Sequence, residues 1–433
     1  MQISPKKTLS KTHHTLTPLA LFALALTPAL LPTAAHAQAG LQVVMSGLDN
    51  PYGLAFSPTG GLYVAEAGTG NGGVGSGPGF VDGGGSHVYF GDTGAVSRLQ
   101  GGVQTRVIGG LPSLGPVGGS EATGLQGLAF DGSGQLYGAF GLGGQEAQRT
   151  QLILDVLNTT GAGGTNAGDL GQVVRLNLGV GTVTPVSDLV PYETQNYTTN
   201  NPDKTAPEAN PYGMVALPGG GFAVSDGGGN VVLKAPAGGG SPTLLSPIPA
   251  QPNPTKMGPP TFQSVPTALA LDSQGGLYVG EFTGYPFPAG AANVYKLDPV
   301  TGKPTVFASG FTTITGLTFG PNGQMYVLDD TTNGLVSRLG SGPGALFQVD
   351  PITGARTLLT SLTAGFTYTG LIAGADGALY ISSQGTGAGS GEVLRFAPTP
   401  VPEASTTVSL GLMLALGLGA VLVARKRKAS GAA

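Results

Sequence analysis

The chain has 433 residues, of which 77 are glycine and 34 are proline, so about a quarter of it consists of the two residues that interrupt helices most strongly. Hydrophobic residues make up 40% and charged residues only 10%, a balance that favours a packed all-β chain over a disordered one. The absence of cysteine excludes disulfides, thiol nucleophiles and Cys-ligated zinc or iron–sulfur sites.

The N-terminus has the layout of a secretory signal. Three lysines precede a short apolar run at residues 19–26, and Ala35 and Ala37 then supply small residues at the two positions that a signal peptidase reads. We therefore expect residues 1–37 to be a signal peptide that is cleaved after Ala37. The alternative is a first helix that anchors the chain in the membrane.

The C-terminus has the layout of a sorting signal. Residues 406–424 carry no charge and are numerous enough to cross a bilayer as a helix, and the basic residues 425–428 follow directly. Positive residues stay cytoplasmic, so this helix would leave the preceding chain outside the inner membrane. Val401, Pro402 and Glu403 stand just before the helix.

This order of Pro-Glu, spanning helix and basic cluster over residues 399–433 resembles the PEP-CTERM sorting signal of Gram-negative bacteria. The resemblance implies an exosortase-type enzyme that cleaves near Pro402-Glu403 and releases the protein to the cell surface or beyond. Ala404 departs from the commonest form of the motif, which has proline after the glutamate. A permanent single-helix anchor is the alternative.

Net charge argues against one class of partner. Without the two terminal segments the chain has 12 basic and 22 acidic residues, a net charge of −10. Phosphate backbones repel such a surface, so we expect no nucleic-acid partner and contact with a membrane only through the C-terminal helix.

The body of the chain repeats one pattern six times. The consensus of the copies is Gly-Leu-Ala-Phe, a tight glycine-containing turn, and Leu-Tyr-Val, which predicts two short apolar strands joined as a hairpin. The copies begin at Gly53, Gly127, Gly213, Ala268, Gly316 and Gly370. A second strand pair follows the hairpin, and four antiparallel strands make one propeller blade.

The sixth copy lacks a fourth strand, and residues 41–46 form a predicted strand with no hairpin before it. We expect this N-terminal strand to pair with residues 392–396 and close the ring, which removes the exposed edges of an open sheet. Residues 38–398 are therefore predicted to form an all-β, six-bladed β-propeller with four-stranded blades. Its long connections, at residues 68–94, 141–171, 191–210 and 247–265, should all emerge on one face, and such a face usually binds something.

With the repeats aligned, residues 40–398 resemble the ScyD/ScyE family of exported NHL-like propellers. The resemblance rests on Asn-Pro-Tyr-Gly at residues 50–53 and 210–213, on Ser-Asp-Gly-Gly-Gly-Asn at 225–230 and on Gly-Glu-Phe-Thr-Gly-Tyr-Pro-Phe-Pro at 280–288. It implies a place outside the cell and supplies no catalytic residues. Wider six-bladed relatives include calcium-dependent lactonases and NHL interaction modules, so the fold alone does not choose a function.

Four acidic residues occupy one repeat position, at the end of the second strand, and these are Glu66, Asp226, Glu281 and Asp329. Carboxylates from several blades around one mouth would suit Ca²⁺, which takes six to eight oxygen ligands, and Ca²⁺ is the only cofactor that the pattern suggests. The alternative is that each carboxylate accepts backbone N–H bonds in its own loop.

Aromatic residues on the same face are the candidates for ligand binding. Tyr52 and Tyr212 follow Asn-Pro and are predicted to form an aromatic floor or to plug the space between blades, and Phe287, between two prolines, is predicted at a binding rim or in the core. After signal cleavage the only histidine is His87, predicted in a glycine-rich loop, so a Ser-His-Asp triad would depend on it alone.

Two functions follow from these features. The first is a non-enzymatic binding or scaffold module of the extracellular matrix, with an exopolysaccharide or another matrix component as its ligand. The second is a Ca²⁺-dependent hydrolase of lactones or sugar acids, in which carboxylates and a hard cation would do the chemistry.

Overall fold

A computed structural model describes residues 40–160, 165–200, 207–336, 340 and 342–398. The signal peptide with Ala35 and Ala37, the sorting motif with Val401, Pro402 and Glu403, and the expected spanning helix lie outside these residues, so the assignments there stay predictions. None of the helices in the described part of the chain has the length and apolarity that a bilayer crossing requires.

The strands form six antiparallel sheets of a β-propeller, each led by one of the six sequence repeats. In chain order they are β1 Leu41–Leu48, β2 Pro51–Phe56, β3 Leu62–Glu66, β4 Gly79–Val81, β5 His87–Gln100, β6 Val103–Gly115, β7 Leu125–Phe130, β8 Leu136–Phe140, β9 Gln172–Asn177, β10 Thr182–Asp188, β11 Pro211–Ala216, β12 Phe222–Asp226, β13 Val231–Ala235, β14 Thr243–Pro247, β15 Gln251–Pro252, β16 Thr261–Phe262, β17 Ser264–Leu271, β18 Leu277–Thr283, β19 Ala292–Leu297, β20 Pro304–Phe311, β21 Ile314–Phe319, β22 Met325–Asp329, β23 Ala345–Val349, β24 Arg356–Ser361, β25 Tyr368–Ala373, β26 Leu379–Ser383 and β27 Gly391–Phe396. The helices inserted between them in the described ranges are α1 Glu146–Thr160, the 3₁₀ helix Thr165–Asp169 and α2 Val190–Asn200.

The blades follow one another around the ring in sequence order. Blade 1 contains β2, β3, β5 and β6, and blades 2 to 5 contain β7–β10, β11–β14, β17–β20 and β21–β24. Blade 6 is built from β25, β26, β27 and, as its outer strand, β1. The first strand of every blade contacts the first strands of its two neighbours, and β2 contacts β25, so the ring is closed.

The predicted closure by the N-terminal strand is confirmed. β1 runs antiparallel to β27, with Leu41 opposite Phe396 and Met45 opposite Val393. The register shifts between Val43 and Met45, and a β-bulge of this kind moves the following side chains to the other face of the sheet. Leu41 and Val43 therefore pack toward blade 5, whereas Met45 and Leu48 pack toward blade 1.

The hydrophobic core lies between neighbouring blades and not within any single blade. One apolar cluster fills each of the six interfaces around the ring. The second strands are buried on both faces, as in β3 and β22, where no residue is more than slightly exposed. A strand that packs against a blade on each side has no solvent-facing set of residues, which explains the continuous apolar runs in the repeats.

Two classes of connection separate onto the two ends of the ring. Turns within the hairpins contain two to seven residues. In one of them Asp298 accepts hydrogen bonds from the backbone nitrogens of Val300 (3.0 Å) and Thr301 (2.7 Å), and Gly302 supplies the positive φ of 70° that ends the turn. The long connections all leave from the opposite end, called here the long-loop face.

The long connections contain regular structure that their sequence did not indicate. The segment at residues 68–94 includes β4 and the first half of β5, so His87 lies at the start of a strand and not in a loop. The segment at 141–171 contains α1 and the 3₁₀ helix, the segment at 191–210 contains most of α2, and the segment at 247–265 contains the small hairpin of β15 and β16. Apolar residues of β4–β6 and α1 form an additional core on this face.

Removal of the closing strand is expected to open the ring. Deletion of residues 38–47 would expose one edge of β27 and the apolar surface that β1 covers, so the melting temperature should fall substantially. In the milder variant Met45→Ala, whose wild-type side chain is 2% exposed, loss of buried volume should cost roughly 2–5 kcal/mol. Denaturant unfolding measures this cost.

Val306→Ala is the matched control, because Val306 is 58% exposed on β20, the outer strand of blade 4. That substitution should change the free energy of unfolding by no more than about 0.5 kcal/mol. Equal stability of wild type and the truncated protein would mean that β1 does not hold the ring together.

Candidate functional site

The four acidic residues at the repeat position are all buried at the ends of their second strands. The structure does not bring them together, because each stays within its own blade. Within the described residues, no group of three or more histidine, aspartate or glutamate side chains is placed to hold a metal ion. A Ca²⁺ site shared by Glu66, Asp226, Glu281 and Asp329 therefore stays a prediction, without support from the placement of these side chains.

Three of these carboxylates are fully engaged near their own strand ends. Glu66 accepts hydrogen bonds from the Ser97 hydroxyl (2.6 Å), the Arg106 guanidinium (2.6 Å) and the Asp49 backbone nitrogen (2.8 Å). Asp329 accepts from the backbone nitrogens of Thr312 (2.9 Å) and Thr313 (2.5 Å). These bonds satisfy backbone N–H groups where the chain crosses between strands.

Glu281 is held by side chains as well as backbone. It accepts hydrogen bonds from the Asn293 backbone nitrogen (2.9 Å), the Asn293 side-chain amide (3.2 Å), the Tyr295 hydroxyl (3.2 Å) and the Gln251 side-chain amide. Burial raises the pKa of Glu281 to about 7, and the hydrogen bonds offset only part of this rise. For Glu66, Glu281 and Asp329 the interpretation as loop-capping residues fits the geometry.

Asp226 differs from the other three. Its Oδ1 atom accepts hydrogen bonds from the backbone nitrogens of Asn210 (2.7 Å), Gly228 (3.0 Å) and Gly229 (3.3 Å). Its Oδ2 atom is buried without a hydrogen-bond partner. Burial raises the pKa of Asp226 to about 6. A second carboxylate, Glu193 of α2, lies close enough that repulsion from Asp226 adds to burial and raises the pKa of Glu193 to about 9.

Tyr52 and Tyr212 are brought together, as an aromatic floor or plug requires. Their rings meet edge to face with centroids 5.5 Å apart, and the Tyr212 hydroxyl donates a hydrogen bond to the Thr369 carbonyl oxygen (3.1 Å) across the ring. Burial raises the pKa of Tyr52 to about 12 and raises the pKa of Tyr212 well above its usual value. Both phenols are therefore neutral donors at physiological pH.

The central channel runs along the first strands of all six blades and has a volume of about 390 Å³. Its lining is mostly glycine and apolar residues, and the polar residues besides Tyr212 are Gln126, Thr267, Thr315, Thr318 and Thr369. No titratable group other than the Tyr212 phenol lines the described channel. This channel offers little for acid–base or metal chemistry.

A cleft of about 420 Å³ opens on the long-loop face. Tyr212 and Thr267 line both this cleft and the channel, so the two spaces adjoin at these residues. Aromatic, amide and carboxylate side chains surround the cleft, and its lining residues include Glu208, Asn210, Tyr212, Gln263, Thr267 and Phe282. A neighbouring recess of about 210 Å³ shares Gly83 and Glu208 with it.

Glu208 is fixed between these two cavities by backbone contacts of blade 2. Ala209 donates a hydrogen bond to the Gly144 carbonyl oxygen (3.1 Å) and accepts one from Gly143 (3.1 Å). A Cβ atom on Gly83 would lie 2.0 Å from the Glu208 carboxylate, so a larger residue at position 83 would displace this carboxylate. Burial, with repulsion from Asp226 and Asp82, raises the pKa of Glu208 to about 7.

The remaining candidates are placed near the cleft or away from it. Phe287 is half-buried and packs edge to face on Phe282, with ring centroids 6.1 Å apart, so it supports the rim but does not line the cleft. His87 is exposed and stacks on Tyr89, with ring centroids 4.6 Å apart.

Sequence reasoning missed Glu193, Glu208, Gln263 and Phe282. Glu193 and Glu208 lie in the connection between blades 2 and 3, and Gln263 precedes blade 4. The repeat pattern does not cover these connections. Only their length indicated that they could contribute to a binding site. Phe282 directly follows Glu281 in the quoted 280–288 segment, which was the one available signal.

No known family model matches the chain, and no curated protein matches it. Solved structures that overlap with it include an oxidoreductase (glucose dehydrogenase) from Thermus thermophilus, with 18% identity, a TM-score of 0.44 and coverage of 82% of this chain and 98% of the other. A protein of unknown function from Bacteroides thetaiotaomicron has 10% identity, a TM-score of 0.47 and coverage of 83% and 75%. Virginiamycin B lyase from Staphylococcus aureus has 15% identity, a TM-score of 0.40 and coverage of 79% and 84%. The six-bladed fold itself is established by the strand pairing.

The buried Glu281 carboxyl should make stability depend on pH. Its folded-state pKa of about 7 lies above the usual value of 4.5, so the folded protein holds this proton more tightly than the unfolded chain does. The resulting stabilisation is complete below about pH 4.5 and is lost as the pH rises to about 7. In Glu281→Gln this loss is absent, so the free energy of unfolding should fall less steeply with pH, by up to about 1.4 kcal/mol per pH unit.

Urea unfolding between about pH 4.5 and 7 measures the slope. Asp298→Asn is the control, because hydrogen bonds from its turn lower the pKa of Asp298 and place its titration below this range. The same slope in wild type and Glu281→Gln would show that Glu281 is ionised in the folded protein throughout the range.

Proposed function

We propose that this propeller is a binding module of the extracellular matrix and that its ligand occupies the cleft on the long-loop face. The observation that carries the proposal is the composition of the cleft wall, where Tyr212 and Phe282 stand beside Glu208, Asn210 and Gln263. A concave site with an aromatic surface and a few polar groups is typical of small-ligand recognition, and 420 Å³ falls within the usual range of such sites.

Carbohydrate is the ligand class that fits this chemistry best. Sugar rings present apolar C–H faces to aromatic side chains, and their hydroxyl groups exchange hydrogen bonds with amides and carboxylates. The net charge of −10 on the mature chain favours a neutral or cation-bridged polysaccharide over a strongly acidic one. An exopolysaccharide of the matrix is therefore the proposed partner.

Binding of glycans should depend on the cleft. The wild-type protein is expected to bind matrix polysaccharide or a subset of glycans on an array, and Phe282→Ala should weaken binding about tenfold or more, since about 1.4 kcal/mol of lost contact corresponds to a factor of ten. Gln263→Ala tests the same site without removing an aromatic residue that packs on Phe287. Calorimetry on the best glycan gives the dissociation constants.

Tyr285→Ala is the matched control, because Tyr285 is an aromatic residue of the neighbouring loop that is 51% exposed and does not line the cleft. It should leave the affinity unchanged. Affinity that is equal in wild type, Phe282→Ala and Gln263→Ala would place the ligand elsewhere, and a wild type that binds no glycan would overturn the carbohydrate assignment.

A second candidate function is a hydrolase of lactones or sugar acids, and Glu208 is the observation that favours it. A carboxyl group whose pKa is raised to about 7 at the edge of a cleft has the properties of a general base. Turnover of a lactone panel by wild type but not by Glu208→Gln would select this function. Binding that is retained in Glu208→Gln without any turnover in wild type selects the binding module.

We also propose that the chain is an exported propeller of the ScyD/ScyE type that an exosortase-type enzyme releases at a PEP-CTERM signal. The support is the order of Pro402-Glu403, the uncharged residues 406–424 and the terminal basic cluster, together with the signal layout before Ala37. The mature protein would then be found at the cell surface or in the medium.

Intact-mass measurement of protein recovered outside the cells should give a chain that starts at Gln38 and ends close to Glu403. Glu403→Ala in the chromosomal copy is expected to retain the protein in the membrane fraction. A recovered mass that still contains residues 425–433 would show that the C-terminal helix is a permanent anchor.

A further inference from the structure

Two buried carboxylates beside the cleft have oxygens without partners. Asp226 is fully buried and its Oδ2 atom has no hydrogen-bond partner, and Glu193 is 3% exposed and its Oε1 atom has none. Unpaired charged oxygens at such depth are costly, so a folded protein normally supplies a donor or a cation for them. Glu281 and Asp329, in equivalent positions of other blades, have every carboxylate oxygen engaged.

A neutral side chain in the turn that follows Asp226 also lacks hydrogen-bond partners. Asn230 closes the four-residue turn between β12 and β13, is 2% exposed, and has neither its side-chain oxygen nor its nitrogen in a hydrogen bond. Its φ of 56° lies in the left-handed region, which asparagine adopts more readily than most residues. The Asn230 amide and the Asp226 Oδ2 atom, four residues apart in sequence, therefore both lack hydrogen-bond partners.

Contacts of the turn place Glu193 against it. A Cβ atom on Gly229 would lie 2.2 Å from Oε2 of Glu193, so the carboxylate of this α2 residue packs directly against the turn. The backbone nitrogen of the same Gly229 donates to Asp226 (3.3 Å). The two carboxylates therefore approach one residue from two elements, and no described lysine or arginine forms an ion pair with either of them.

We propose that Asp226, Glu193 and Asn230 bind a hard divalent cation, Ca²⁺ in the first instance, which ties α2 to blade 3. All three contribute oxygen ligands, the pair of carboxylates supplies a charge of −2, and water or turn carbonyl groups complete the six to eight ligands that Ca²⁺ accepts. This site differs from the predicted site of Glu66, Asp226, Glu281 and Asp329. The two share only Asp226, because Glu193 comes from an inserted helix.

The site lies directly behind the wall of the cleft. Asp226 holds the Asn210 backbone nitrogen, and Asn210, Gly227 and Gly228 line the cleft. The cation would fix this wall, but the proposal does not depend on what the cleft binds. The competing occupant is a proton shared between the two carboxylates, which would satisfy the same oxygens without a metal.

Titration of CaCl₂ into EDTA-treated purified protein tests the site. A cation that binds the folded chain should give a saturable rise in melting temperature, with one equivalent bound by calorimetry, since binding to the folded state alone stabilises it. Glu193→Gln and Asp226→Asn should each abolish both signals. Glu281→Gln is the matched control, a buried carboxylate with a full set of partners, and should keep the wild-type response.

Two results would overturn the proposal. A melting temperature of wild type that does not respond to CaCl₂ assigns the pair to a shared proton. A calcium response that survives in Glu193→Gln places the ion at other carboxylates. Calorimetry separates loss of the site from loss of folding, because a variant that melts cooperatively but binds no calcium is folded without the site.

Discussion

The propeller depends on the pairing of β1 with β27, which joins the two ends of the described chain. Each blade buries both of its faces, so each blade needs a neighbouring blade on both sides to be stable. β1 contributes to two interfaces at once, with Leu41 and Val43 toward blade 5 and Met45 and Leu48 toward blade 1. The β-bulge between Val43 and Met45 makes this division possible, because without it all odd-numbered residues would face one side.

A shift in register recurs between the third and fourth strands of every blade. The shifts leave at least one residue of the outer strand unpaired in each blade. A bulge increases local twist and lets an outer strand contact two neighbours. Residues 43–48 of β1 and 306–311 of β20 read VVMSGL and VFASGF, and this likeness fits their common place as outer strands.

Regular features of the fold could be predicted because they are periodic. Glycine or alanine at the start of each repeat, short apolar segments and tight turns predicted six blades and the strand from the N-terminus that completes the sixth. The sequence also predicted that acidic residues occur at the end of the second strands, but it did not predict which groups these carboxylates contact. The spacing in the sequence predicts that Glu66, Glu281 and Asp329 lie on one rim. The structure shows that each accepts hydrogen bonds from nearby residues, such as Ser97, Asn293 and Thr312, respectively.

The cleft and the Glu193–Asp226 pair were beyond prediction for a different reason. Both form where insertions from separate blades fold back on the ring, and the contacts between residues 83, 144 and 208 span more than a hundred positions in sequence. Helices α1 and α2 are largely polar and have glycine, asparagine or proline near their ends, so helix propensity did not predict them.

Chemical groups are distributed very unevenly between the two ends of the ring, and this asymmetry limits where a ligand can be recognised. Glycine recurs in the first strands because the backbones of neighbouring blades approach closely there; a Cβ atom on Gly213 would lie 2.1 Å from the Thr267 carbonyl oxygen. That constraint removes side chains from the channel wall, and the Tyr52–Tyr212 pair stands at its end toward the cleft. Functional groups therefore accumulate at the long-loop end, where Glu208 and Gln263 lie on insertions and Phe282 follows the repeat position near the end of β18.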